Sequence, residues 1–280
     1  MILSVASGKG GTGKTTIAIN LALSLEKFHF VQFLDCDVEE PNAHFFLKLH
    51  FPQNRVVSLP IPEIEEKKCT YCGKCAEVCV YNAIAVLKET VLVFPELCHG
   101  CGGCSLLCPE KAIKEKGQRI GIIEFGRANN IQFIHGKLDI GQAMSPPLIR
   151  EIKKHKNPTR IVIIDAPPGT SCPVIEAVKG SDFSLLVTEP TPFGLNDLKL
   201  AVETLRKLKI PFGVVINRAG IGDSGVKDYC QKENIPILMT LPMDRNIAVA
   251  YSEGKSIVET QPDYRIKFLE LFEKIQESIK

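Results

Sequence analysis

Between Cys69 and Cys108 the chain is written twice. Cys69, Cys72, Cys75 and Cys79 recur as Cys98, Cys101, Cys104 and Cys108, and Ala83-Ile84 recurs as Ala112-Ile113, every match offset by 29 residues. Such an offset marks an internal duplication, so this stretch reads as one small unit built from two like halves. Thiols at this density either pair as disulfides or bind metal, and the redox compartment decides between them. The apolar run Ile2–Ala6 gives way at once to glycines and is too short for the core of a signal peptide; no run reaches the ~18 apolar residues of a membrane span. A cytoplasmic chain is therefore expected, with cysteines that hold metal.

Outside that stretch the pattern is different. Strand-like runs at Ile2–Ala6, Val31–Leu34, Arg160–Ile164, Phe183–Val187, Phe212–Ile216 and Ile237–Thr240 alternate with helical periods at Lys14–Lys27, Pro147–Lys156, Cys172–Lys179, Gly194–Leu208, Ser224–Glu233 and Asp263–Ile279. Alternation of this kind predicts a mostly parallel sheet covered by helices. The cysteine stretch interrupts it after a charged, proline-bearing linker at Leu59–Lys68, and Gly117–His135 returns to it as a hairpin around Asn129-Asn130. The expected organisation is a discontinuous domain of residues 1–60 and 117–280 with an inserted domain at 61–116.

Gly8-Lys9-Gly10-Gly11-Thr12-Gly13-Lys14-Thr15 fits the phosphate-loop pattern Gly-x-x-x-x-Gly-Lys-Ser/Thr and lies between a strand and a helix, which is the context the motif requires. Glycines let backbone N–H groups face phosphate oxygens, and the helix beginning near Lys14 adds its positive end, with Thr16 in its first turn. Lys14 is expected to reach the outer phosphates and Thr15 the magnesium. Two acids lie at the end of the second strand, Asp35 and Asp37, and a third, Asp165, follows the apolar run Ile161–Ile164.

With Lys9 inside it, the wording Gly-Lys-Gly-Gly-Thr-Gly-Lys-Thr-Thr resembles the deviant Walker family that includes MinD, the plasmid partition ATPases, the Mrp-type cluster carriers and the nitrogenase iron protein. The resemblance implies that Lys9 contacts phosphate across a nucleotide-sandwich dimer, that Asp37 orients the attacking water, and that Asp165 supports the magnesium shell, with Gly169 turning toward the γ-phosphate. Asp35 is the other candidate for the magnesium shell, and either Asp35 or Asp37 can instead cap the loop that follows. Val215-Ile216-Asn217-Arg218 and Leu241-Pro242-Met243-Asp244 look like the family's base-binding segments, which implies contacts from Asn217, Arg218, Pro242 and Asp244. The guanine-reading Asn-Lys-x-Asp pattern is absent, so the implied nucleotide is ATP.

The two cysteine runs, the second closed by Pro109, are similar to those of bacterial two-cluster ferredoxins. That resemblance implies two 4Fe-4S clusters in which each fourth cysteine serves the other site: Cys69, Cys72, Cys75 and Cys108 for one, Cys98, Cys101, Cys104 and Cys79 for the other. Val80 stands where the first run would carry proline. Structural zinc, which also suits four cysteines, is the alternative. Cys36, alternating with Asp35 and Asp37, is expected to face the core, Cys172 begins a helix just past Gly169, and Cys230 lacks the Cys-x-x-Cys partner by which Mrp-type carriers hold a bridging cluster. A stripe of Ile266, Leu269, Phe272, Ile275 and Ile279 is expected to pack the last helix on the core.

The expected fold is therefore α/β, a P-loop NTPase parallel sheet with an inserted small α+β ferredoxin-like domain, and the closest resemblance is to MinD-superfamily ATPases carrying such an insert. It extends to Ile134-His135-Gly136-Lys137-Leu138 and Met144-Ser145-Pro146-Pro147. Formal net charge is only +2, which supplies no electrostatic case for nucleic acid or a membrane surface. Implied partners are a second copy or a paralogue in a nucleotide-dependent dimer, and a redox or metal-cofactor protein. Three functions remain open: gating electron delivery to a partner, assembling a metal centre in one, or positioning in the manner of MinD with structural or sensory clusters.

Overall fold

The computed structural model describes Met1–Ile279. Its chain divides into two compact units, one of Met1–Asn54, Ile123–Lys137 and Ile149–Lys280, the other of Arg55–Ile122 and Leu138–Leu148. In chain order the elements are β1 (Ile2–Ala6), α1 (Lys14–Leu25), β2 (Val31–Asp35), β3 (His50–Ile64), α2 (Lys74–Glu77), β4 (Ile84–Leu87), β5 (Thr90–Val93), α3 (Gly103–Leu107), β6 (Ile113–Ala128) and β7 (Ile131–Leu138). They continue with α4 (Pro146–Lys153), β8 (Ile161–Asp165), α5 (Cys172–Val178), β9 (Phe183–Thr188), α6 (Pro192–Leu208), β10 (Phe212–Ala219), α7 (Gly225–Lys232), β11 (Ile237–Pro242), α8 (Arg245–Ser252), α9 (Ile257–Thr260) and α10 (Tyr264–Ile279).

The large sheet has the order β11-β10-β9-β1-β8-β2-β7-β6-β3. Pairings from β11 through β7 are parallel. Parallel strands covered on both faces read as unbroken apolar runs, and every residue of β2 and β9 is buried. In the first unit, α1 is buried along almost its whole length and packs against α10. The core there gathers Phe33, Phe133, Phe183 and Phe268, all essentially inaccessible; truncating a buried phenylalanine to alanine costs about 3–5 kcal/mol.

The register of α10 differs from the expected stripe. Tyr264, Phe268, Leu271, Phe272 and Ile275 are buried, while Ile266 and Ile279 are exposed. Positions 264, 268, 271 and 275 follow the i, i+4, i+7, i+11 line of one helical face, and Ile266 lies off it. The segment expected as a linker from Leu59 also differs: it is the second half of the 15-residue strand β3. Most of β3 is exposed and it carries Pro52, Pro60 and Pro62, so neither apolar alternation nor propensity announces it. The hairpin of β6 and β7 turns at Asn129, whose φ of +50° is the left-handed conformation asparagine tolerates.

The second unit holds α2, α3 and the antiparallel hairpin β4–β5, in which Ile84 faces Val93. Its core includes the repeated apolar pair, since Ala83, Ile84, Ala112 and Ile113 are all buried, along with Val57, Leu59, Ile120 and Leu148. The duplication extends to the backbone: positive φ occurs at Tyr71 and Gly100, Gly73 and Gly102, and Asn82 and Lys111, each pair again 29 residues apart. Tyr71, Asn82 and Lys111 adopt a conformation that costs a residue with a Cβ about 1–2 kcal/mol, which shows how strongly the cysteine loops depend on that geometry.

Candidate functional site

At the carboxyl end of β1 the phosphate loop runs from Gly8 into α1. Gly11 and Gly13 have φ of +76° and +91°, and two glycines are demanded by close approach: a Cβ on Gly8 would lie 2.1 Å from the Asp197 carbonyl oxygen, and one on Gly13 would lie 2.3 Å from Asn217 Nδ2. That amide donates to the Thr12 carbonyl at 2.8 Å, while Asn217 Oδ1 accepts from the Arg218 amide at 2.9 Å. Asn217 thus braces the loop from the end of β10.

Lys14 and Thr15 are buried in the first turn of α1, and Thr15 Oγ1 donates to Asp165 Oδ2 at 2.6 Å. Asp165 ends β8 beside Asp35 of β2. Its second oxygen, Oδ1, is buried with no hydrogen-bond partner among the described residues. Burial pushes the Asp165 carboxyl up to about 7, with Lys14 and Thr15 pulling against it. A buried carboxylate with one orphaned oxygen and a hydroxyl on the other is the donor set expected around a hard cation such as magnesium. Asp35 does different work: its oxygens accept from the Asp37 amide at 3.1 Å and the Ala43 amide at 3.2 Å, so it shapes the loop after β2. Burial, then the charge of Asp165, raises its carboxyl well above the usual range.

One cleft of about 420 Å³ is lined by Gly10, Gly11, Gly13, Lys14, Thr15, Thr16, Asp37, Asn217, Arg218, Pro242 and Asp244. Asp37 is partly buried and its carboxyl is raised to about 6, first by burial, against the pull of Lys14 and with help from Glu39 and Glu40. Asp244 caps α8, accepting from the Asn246 amide at 2.7 Å. Glu40, Asn42, Ile247, Ala248 and Tyr251 also line the cleft, and no motif in the sequence points to them. Gly8, Lys9, Thr12 and Asp165 are not part of that lining.

Lys9 instead pairs with Glu189, just past β9. Arg218 reaches the other oxygen of the same carboxylate at 3.2 Å, from a backbone with φ of +53°. Glu189 is almost wholly buried, so one acid holds two cations. Sequence reading missed it, because Thr-Glu-Pro after an apolar strand looks like any strand-to-helix turn.

In the second unit Cys69, Cys72, Cys75 and Cys108 line one small cavity. Cys79, Cys98, Cys101 and Cys104 line another. Backbone amides point at sulfur in matching places: Tyr71 to Cys69 and Gly100 to Cys98 at 3.4 and 3.5 Å, Ala83 to Cys79 and Ala112 to Cys108 at 3.3 Å each. Burial raises the thiols of Cys75 and Cys104, so a positive ligand must displace their protons. Among the described residues no three of the His, Cys, Asp and Glu side chains converge as a single metal ion requires. Cys36 and Cys230 are buried, the latter with its thiol pushed up to about 11 by burial, and Cys172 is exposed at the start of α5.

A model of the CobQ/CobB/MinD/ParA nucleotide-binding domain matches residues 3–257. The chain belongs to that family. It is similar to an uncharacterised protein of Methanocaldococcus jannaschii, 34% identical over 92% of each chain. It is also similar to the iron-sulfur cluster carrier protein of Pyrococcus horikoshii, 26% identical over 99% of this chain and 86% of that one. Among solved structures, the septum site-determining protein MinD of P. horikoshii, complexed with Mg-ADP, superposes with a TM-score of 0.62 at 20% identity, covering 98% of this chain and 95% of that one; this likeness is one of fold. Among the described residues no helix is long and apolar enough to cross a membrane.

Proposed function

We propose that this family member binds and hydrolyses ATP with magnesium, carries two 4Fe-4S clusters in a ferredoxin-like insert, and couples nucleotide state to electron delivery or to assembly of a metal centre in a partner protein. The observation that carries the reading is the coexistence in one chain of the buried Thr15–Asp165 contact beneath the phosphate loop and of two cavities that each gather four cysteines. Cys69, Cys72, Cys75 and Cys108 would hold one cluster and Cys79, Cys98, Cys101 and Cys104 the other. When bound, the clusters supply one-electron storage. The name of the Pyrococcus relative, an iron-sulfur cluster carrier, supports a role in cluster handling.

The chain's own residues divide the nucleotide chemistry. Lys14 and the N–H groups of Gly10–Gly13 bind the phosphates, Thr15 and Asp165 orient magnesium, and Asp37, with a carboxyl near 6, holds the attacking water and takes its proton. Arg218, Pro242 and Asp244 border the base, with Asn217 bracing the loop beside it. Lys9, drawn to Glu189 within its own chain, exchanges that carboxylate for phosphate when two chains close on nucleotide. The partner is a second copy or a paralogue.

The deciding experiment is an anaerobic preparation analysed for iron, sulfide and ATP turnover, then mixed with an apo-ferredoxin-type acceptor with and without ATP. About eight iron and eight sulfide per chain, and ATP-dependent change in the acceptor's metal or redox state, are expected. Stoichiometric zinc without cluster absorption after reconstitution would overturn the reading.

A further inference from the structure

The two cysteine halves can be compared position by position, because the 29-residue offset assigns every residue a counterpart. The potential of a cysteine-ligated cluster depends on cluster type, hydrogen bonds to sulfur, solvent exposure and nearby net charge. Three of these are matched. Both sites offer four cysteines, the amide-to-sulfur contacts pair off at nearly equal lengths, and the exposure of each cysteine matches that of its counterpart, with Cys72 and Cys101 the exposed ones.

Charge is not matched. Glu115 lines the cavity of Cys79, Cys98, Cys101 and Cys104, and its counterpart Val86 lines the other. Glu115 is held in place: Ser105 Oγ donates to Glu115 Oε1 at 2.7 Å, and Ser105 has the counterpart Ala76. A polar pair, Ser105 and Glu115, thus occupies one half where an apolar pair, Ala76 and Val86, occupies the other. Glycine makes room for it, since a Cβ on Gly102 would lie 2.9 Å from Glu115 Oε1, whereas no described atom lies within 4 Å of a Cβ on the counterpart Gly73. The first cavity's own charged neighbours, Lys74 and Glu110, are of opposite sign, and beside Glu115 and its cysteines the second has one basic neighbour, His99, where the first has Thr70.

We propose that the two sites hold their clusters at unequal reduction potentials, and that Glu115 makes the site of Cys79, Cys98, Cys101 and Cys104 the more reducing one. The proposal rests on the two-cluster reading above. A negative charge beside a cluster disfavours an added electron, by an amount that falls with distance and with the effective dielectric. Glu115 is exposed, so salt screens it and the gap between the sites narrows as ionic strength rises. An ordered pair of this kind gives the unit a direction, with the electron resting at the site next to Val86.

The test is a redox titration of the reconstituted full chain followed by electron paramagnetic resonance, at low and high salt. The wild type should reduce in two steps. Glu115→Gln should raise only the lower step, changing its reduced-to-oxidised ratio at fixed potential about threefold, or about 28 mV at 59 mV per tenfold. Val86→Glu should lower only the upper step. A single wild-type step, an unchanged titration in Glu115→Gln, an equal shift of both steps or a shift of the upper one each overturns the proposal. If Val86→Glu fails to load, Glu115→Gln decides alone. Loss of clusters from the wild type itself is a different result, and overturns the two-cluster reading on which the proposal stands.

Discussion

The nucleotide cleft and the cysteine unit are built on opposite plans. The cleft draws on residues as distant as Gly10 and Tyr251, carried by strand ends and by the helices α1 and α8, and no part of it resembles another part. The cysteine unit is local and doubled, with its eight thiols between Cys69 and Cys108. A site assembled from distant pieces fails as a whole when one brace is lost, because every piece is placed by the sheet and by few local contacts. A doubled local site can lose one half while the other keeps its backbone geometry.

The largest effect is expected from Lys14→Ala, which removes the buried ammonium from the phosphate loop. ATP affinity should fall by more than about 100-fold, read by calorimetry, while iron content stays unchanged. Retained ATP binding would move the site elsewhere. Asp37→Asn comes next: turnover should drop on the order of 100-fold with affinity kept within about tenfold. Wild-type turnover should itself fall as pH drops through about 6, where Asp37 gains its proton; a flat profile across that range would assign the role to another acid.

Cys75→Ala probes the other plan. One cavity loses a ligand, so iron should fall from about eight toward about four per chain, with ATP affinity within about twofold of the wild type. Loss of all iron would show that the halves are not independent. The fourth variant, Asp165→Asn, reports on the cleft's buried acids. Their carboxyls are raised in the folded chain, so the folded state keeps protons that the unfolded state releases above the ordinary value of 3.8. Stability without magnesium should therefore decline as pH rises from about 4 to about 7. Asp165→Asn should flatten that slope in thermal melts, leaving the part due to Asp35. The smallest effect belongs to Glu189→Gln, which frees Lys9 and should strengthen ATP-dependent self-association about threefold by sedimentation, the scale of one partly buried ion pair.

What the sequence made legible follows the same division. The duplicated cysteines, the phosphate loop and the buried strands are contiguous signals, and in the structure Lys14 and Thr15 follow β1, Asp37 follows β2 and Asp165 ends β8. Glu189 was not legible, because its meaning lies in its position opposite Lys9 and Arg218 rather than in any neighbour along the chain. Ile247, Ala248 and Tyr251 sit on α8, a helix too short and too exposed to announce itself by period. The stripe on α10 was misjudged because Ile266 and Ile279 are apolar but off the buried line, and exposed isoleucines are ordinary on protein surfaces.

The strand β3 ends the sheet at its open side. Fifteen residues of unpaired strand edge would ordinarily be a template on which another chain could add itself and start a fibre. Pro52, Pro60 and Pro62 each delete an amide that such an intruder would use. The opposite border, β11, is six residues long and finishes in Pro242. Both margins of the sheet thus offer a broken row of amide donors to any strand that approached them.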